Sequence, residues 1–86
     1  PNRFVPINEP VKFENLLTNP ETLESITVDF GDNIIKTYTG EDMLKDFFVV
    51  YSINGYKTLS ITITTQNKSK VVLTYPNIVN VVSYYD

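Results

Sequence analysis

The stretch ITVDFGDNIIK, Ile26 to Lys36, decides how the chain is read. Its first half alternates. Ile26, Val28 and Phe30 share one face of an extended segment while Thr27 and Asp29 oppose them, the period-two pattern of a half-buried β-strand. Gly31, Asp32 and Asn33 interrupt the alternation and Ile34 restarts it. Two aspartates around Phe-Gly have three physical readings. They can fasten a strand-ending turn by accepting backbone N–H bonds, with Gly31 or Asn33 taking the positive φ. They can belong to a calcium loop, or they can be the paired carboxylates of a glycoside hydrolase.

Working outward, the same alternation recurs. In YKTLSITITT (56–65), Leu59, Ile61 and Ile63 oppose Thr58, Ser60, Thr62 and Thr64, a hydroxyl face suited to solvent. VKFEN (11–15) places Val11 and Phe13 together. FFVVY (47–51) is apolar on both faces and predicts a centrally buried strand. QNKS (66–69) closes a hairpin to KVVLTY (70–75), and Pro76-Asn77 interrupts the last strand before IVNVVSYYD continues it. PNRFVPINEP holds three prolines in ten residues and predicts an extended lead-in or edge strand. LLTNPETLES (16–25) predicts a loop centred on Asn19-Pro20, with Leu16, Leu17 and Leu23 tucking its ends against the core. TGEDMLKDF (39–47) predicts a loop with at most one helical turn, Thr39 and Asp42 being spaced like a capping box. Some seven short strands with regular turn signals predict an all-β, antiparallel β-sandwich.

Composition agrees. The 86 residues contain no alanine, and β-branched and aromatic side chains dominate the apolar 42%. The chain has neither histidine nor cysteine, which removes Ser-His and Cys-His nucleophiles and most zinc sites. Net charge is −3 and no Lys/Arg cluster exists, so neither nucleic acid nor an anionic membrane surface is an expected partner. No apolar run approaches the length of a bilayer-spanning helix, and membrane insertion is not expected.

Three segments together resemble a known family. INEPVKFEN, ITVDFGDN and VVYSINGYKTLSITIT are similar in order and spacing to the polycystic kidney disease (PKD) repeat, an immunoglobulin-like β-sandwich. Glu9-Pro10-Val11-x-Phe13, Asp29-Phe30-Gly31-Asp32, and Tyr51 followed by Gly55, Leu59, Ile61 and Ile63 carry the likeness, which spans roughly residues 7–82. The family tryptophan is replaced by Val28, its final turn glycine by Asn33, its histidine by Val49, and its second tyrosine by Lys57. The segment Tyr38–Phe47 is also longer than the usual connection. The resemblance implies a single domain over residues 1–86, excised from a larger multidomain protein that is secreted or displayed on a bacterial cell surface. There it would act as a non-catalytic spacer or interaction module, in contact with neighbouring domains and with protein or glycan.

Each candidate site has a plain and a sharper expectation. Asp29 and Asp32 are expected chiefly to hold the turn; a calcium site would recruit Asp29, Asp32 and Asn33, and some PKD-like domains are described as binding calcium. No other cofactor is expected. Of the six tyrosines, Tyr51 is expected in the core, and Tyr84 and Tyr85 against a neighbouring domain. Tyr38, Tyr56 and Tyr75 are candidate ligand contacts, because exposed aromatics stack on sugar rings. They support the alternative of a carbohydrate-binding module serving an attached glycan-degrading enzyme. Glu41, Asp42 and Asp46 are expected on a solvated loop, and Lys57, Lys68 and Lys70 as guards of edges and turns.

Overall fold

In a computed structural model the described residues are 3–15, 17 and 22–83. Among them the protein is an all-β sandwich of seven strands: β1 (Arg3–Pro6), β2 (Pro10–Phe13), β3 (Leu23–Asp29), β4 (Ile35–Tyr38), β5 (Phe47–Val50), β6 (Gly55–Thr65) and β7 (Lys70–Val82). Five form one sheet in the order β1-β7-β6-β3-β4, and β2 pairs with β5 in a second. All pairings are antiparallel except β1 with β7, where Val5 lies opposite Val81 in a parallel ladder. The sequence predicted an antiparallel sandwich throughout. β1 and β7 come from far ends of the chain, so no hairpin dictates their relative direction.

The core face follows the alternation. Ile26, Val28 and Phe30 are essentially inaccessible, and Val11, Phe47 and Val49 of the small sheet pack over the same interior. The phenyl rings of Phe13 and Phe30 meet across the layers at 6.0 Å between centroids, and Tyr38 and Phe47 at 4.9 Å. These are tilted aromatic contacts of the favourable kind.

β5 departs from the reading of its sequence. Phe47 and Val49 are buried, but Phe48 and Val50 stand about half exposed, at 51% and 50%. A strand apolar on both faces predicts burial on both sides, yet β5 sits in a two-stranded outer layer with nothing across its far face among the described residues. The segment Gly40–Leu44 forms a short 3-10 turn that buries Met43. The capping box does not form: Thr39 makes no side-chain cap bond. The Asp42 carboxylate instead pairs with Lys45 at 3.1 Å. The N–H that the cap would serve, that of Asp42, is already bonded to the Thr39 carbonyl at 3.1 Å.

Pro76-Asn77 does not end β7. It forms a bulge in which Thr58 faces Pro76, Asn77 and Ile78, between the pairs Lys57–Val79 and Leu59–Tyr75. Two extra residues preserve parity, so Tyr75 and Val79 keep to the same inner face. Asn77 adopts a left-handed φ of +53°, and its N–H donates to the Thr58 hydroxyl at 3.3 Å. Leu16, the Asn19-Pro20 turn, Tyr84 and Tyr85 lie outside the described residues.

Candidate functional site

The turn after β3 is where the chemistry-bearing residues gather. Gly31, Asp32 and Asn33 take left-handed φ values of +94°, +56° and +65°. Three successive positive φ angles need glycine or short polar side chains, which is what the sequence places there. A Cβ built on Gly31 would lie 3.6 Å from the Thr58 carbonyl, ordinary contact, so conformation and not space explains the glycine. The Ile34 N–H returns to the Gly31 carbonyl at 2.9 Å, and the Phe30 N–H to the Ile34 carbonyl at 2.8 Å, closing the turn.

The two aspartates divide the work. Asp29 accepts the Gly31 N–H at 2.9 Å, the expected turn-fastening bond. Asp32 instead receives the ammonium of Lys57 at 2.6 Å. The Lys57 side chain is only 4% exposed and that of Asp32 20%, so this is a largely buried ion pair. Lys57 was expected at an edge or turn in solvent, and the structure overturns that. Its Cα lies on the inner face opposite Val79, in line with Leu59, and parity alone sends the side chain inward. Only a counter-ion makes that position tenable, and Asp32 supplies it. The ammonium also lies 5.6 Å from the centroid of the Tyr51 ring, within cation–π range.

Tyr51 completes the cluster. It is fully buried, and its hydroxyl donates to the Phe30 carbonyl at 2.8 Å. Burial, with the carboxylate of Asp32 adding to it, pushes the phenol up to about 12. The phenol is therefore a fixed hydrogen-bond donor at neutral pH. Phe30, the centre of the sequence motif, is thus held from three sides: Phe13 across the layers, Tyr51 on its carbonyl, and Lys36 5.6 Å from its ring centroid.

As a cation site this turn is occupied from within. The carboxylates of Asp29 and Asp32 both have partners in the chain, and Asn33 is exposed beside them. No group of three or more His, Cys, Asp or Glu side chains converges among the described residues. A divalent cation at Asp32 would have to displace the Lys57 ammonium.

The three candidate tyrosines are not brought together. Tyr38 is half-buried on β4 with its ring against Phe47, and that burial raises its phenol above the ordinary range. Tyr56 is 57% exposed on the opposite face of the large sheet, across from Asn80. Tyr75 is 41% exposed on the inner face of β7. Tyr38 and Tyr75 share a face, but their strands β4 and β7 are three spacings or about 14 Å apart, and Tyr75 is displaced along β7 from Val71, the position level with Tyr38. Of the acidic loop, Glu41 and Asp42 are exposed as expected, while Asp46 accepts the Asn15 N–H at 2.9 Å and pins the end of β2. Asn15 also donates to the carbonyls of Met43 and Lys45.

A second region was not foreseen. Beside Tyr75 a groove of about 360 Å³ opens between the layers, lined chiefly by Ile26, Phe47, Ile61, Ile63, Leu73 and Tyr75. It exists because the layers differ in length. The four-residue strands β2 and β5 span about 13 Å, whereas the eleven residues of β6 span about 36 Å. Beyond Leu59 the inner face of the β6–β7 hairpin outruns its cover, leaving Val71 at 50% and Leu73 at 38% exposed. The strand-length mismatch was the available sequence signal: YKTLSITITT is twice as long as VKFEN. No helix among the described residues is long and apolar enough to cross a membrane. No protein-family model matches the chain, and no curated protein or solved structure matches it either.

Proposed function

We propose that this domain is a non-catalytic, PKD-like spacer and interaction module of a larger secreted or cell-surface bacterial protein. The observation that carries the interaction half is the outer part of the β6–β7 hairpin, left without cover among the described residues, where Val71, Leu73 and Tyr75 share the inner face and are all exposed. Contiguous exposed apolar side chains on a small domain mark a contact surface more often than a solvent face. The spacer half rests on the sandwich itself, 48 Å long and about 20 Å across, and on the turn cluster, where Asp29 is bonded to the Gly31 N–H and Asp32 to Lys57. The extracellular setting comes from the PKD resemblance of the Asp29–Asp32 and Tyr51–Ile63 motifs.

The alternative, a carbohydrate-binding module, needs aromatic rings displayed side by side, and of Tyr38, Tyr56 and Tyr75 only Tyr75 borders the groove. Affinity electrophoresis through a broad panel of polysaccharides separates the two readings. Unretarded migration in every gel is the expected result. Retardation that is lost on Tyr75→Ala would replace the interaction-module reading with the carbohydrate one.

A further inference from the structure

The groove's outer wall is an edge strand, and its backbone has something the groove lacks: direction. β1 covers β7 only from Val79 to Val82. From Lys70 to Pro76, β7 pairs with β6 on one side and with no strand on the other among the described residues. The Thr65 N–H bond to the Ser69 carbonyl sets the phase of the β6–β7 ladder. Counting along the register, Val71, Leu73 and Tyr75 exchange bonds with β6, so Lys70, Val72 and Thr74 turn their N–H and C=O groups outward.

The other exposed edges are blunted. On β2, the Arg3 guanidinium donates to the Lys12 carbonyl at 2.6 Å. On β5, the Lys36 ammonium donates to the Phe48 carbonyl at 2.8 Å. β1 and β4, the two end strands of the large sheet, are four residues long; β1 bears Arg3 and ends in Pro6, and β4 carries Lys36 itself. These are familiar ways of keeping an edge from pairing with another chain. Between Lys70 and Pro76 the sequence Val-Val-Leu-Thr-Tyr carries no charge and no proline.

We propose that this edge pairs with the same edge of a second copy, antiparallel, about a two-fold axis at Leu73, to make a continuous ten-stranded sheet. The inference rests on the interaction-module reading and names its partner. The edge is complementary to itself in this register. Val72 faces Thr74 of the second copy and Thr74 faces Val72, outward group against outward group, so both pairs exchange two bonds. Lys70 N–H groups reach the Pro76 carbonyls at the two ends, where proline, lacking an N–H, stops the ladder. The non-bonded positions, where side chains approach most closely, set Leu73 against Leu73 and Val71 against Tyr75, an aromatic–β-branched pair of the stabilising kind. The two Lys70 side chains lie at opposite ends of the ladder, about 20 Å apart. Seven residues per copy, Lys70 to Pro76, bury less than the roughly 800 Å² per partner of a standard interface, so the dimer is a weak one that a tether or surface display would strengthen.

The chain has no cysteine, so a single introduced thiol reports the register. Under mild oxidation Leu73→Cys should form a disulfide-linked dimer about an order of magnitude faster than Val71→Cys, because only residue 73 meets its own copy at disulfide distance. Thr74→Pro added to Leu73→Cys removes an outward N–H without touching the β6 ladder, and should abolish the excess. If that variant does not fold, Val72→Lys places a guarding charge on the same edge with the same expected loss. Equal cross-linking at positions 71 and 73, or sedimentation as a monomer at about 1 mM, overturns the proposal. The polysaccharide panel is independent of this outcome, so the two readings fail separately.

Discussion

The two halves of the β6–β7 hairpin are built from the same alternating sequence and end in opposite environments. Near the bulge, Lys57, Leu59, Val79 and Val81 are buried, with the small sheet across the interior and β1 paired along the β7 edge. Toward the tip, on the same face, Ile61 and Ile63 are half-buried and Val71 and Leu73 are exposed to solvent. Nothing within the hairpin distinguishes the halves; what differs is the length of the layer opposite. Alternation chooses which face a side chain takes, while burial is decided by what another part of the chain lays across that face. The consequence is extreme at Lys57, which parity sends into the buried half and which survives there only through Asp32.

Substitutions should therefore split by half. Phe30→Ala, at the centre of the covered half, removes a fully buried ring that packs on Phe13 and lies under the Lys36 ammonium. It should cost about 3–5 kcal/mol in denaturant unfolding. A loss below about 1 kcal/mol would mean that the covered half is not the stability core. Asp32→Asn leaves the Lys57 ammonium without its counter-charge and should cost about 3 kcal/mol. Adding Lys57→Met should recover most of that loss, since a neutral side chain of similar shape needs no partner. Failure of the double variant to recover would show that the pair contributes stability beyond mutual neutralisation.

A pH titration tests the same half without mutation. The folded phenol of Tyr51 is raised to about 12 from an ordinary 10.0, so the unfolded chain loses this proton first. The stabilisation is complete below about pH 10 and is lost as pH rises toward 12. Two units correspond to roughly 2–3 kcal/mol. Tyr51→Phe should flatten this alkaline limb. An unchanged limb would assign the loss to other groups.

Two small effects bound the comparison from the other side. Calcium at millimolar concentration should leave the melting temperature unchanged, because Asp32 is already committed to Lys57. A rise would place a binding site on the native state. Val72→Thr at the hairpin's outer part should shift stability by no more than about 0.5 kcal/mol in dilute solution. A larger loss would reveal cover over this strand.

By itself the sequence determined the strands, their faces and the turn. Ile26, Val28 and Phe30 point inward because period two and apolarity coincide there, and Gly31, Asp32 and Asn33 turn because few other residues tolerate positive φ. Asp29's bond to Gly31 was equally legible, being local. The tertiary structure decided everything that required knowing a partner distant in sequence. It paired Asp32 with a lysine twenty-five positions away, set the Tyr51 hydroxyl on Phe30, split β5 into a buried and an exposed face, and left β7 with an open edge among the described residues. Strand faces are set by the nearest few residues, whereas ion pairs, cover and free edges are set by which strands meet, and no local pattern encodes that.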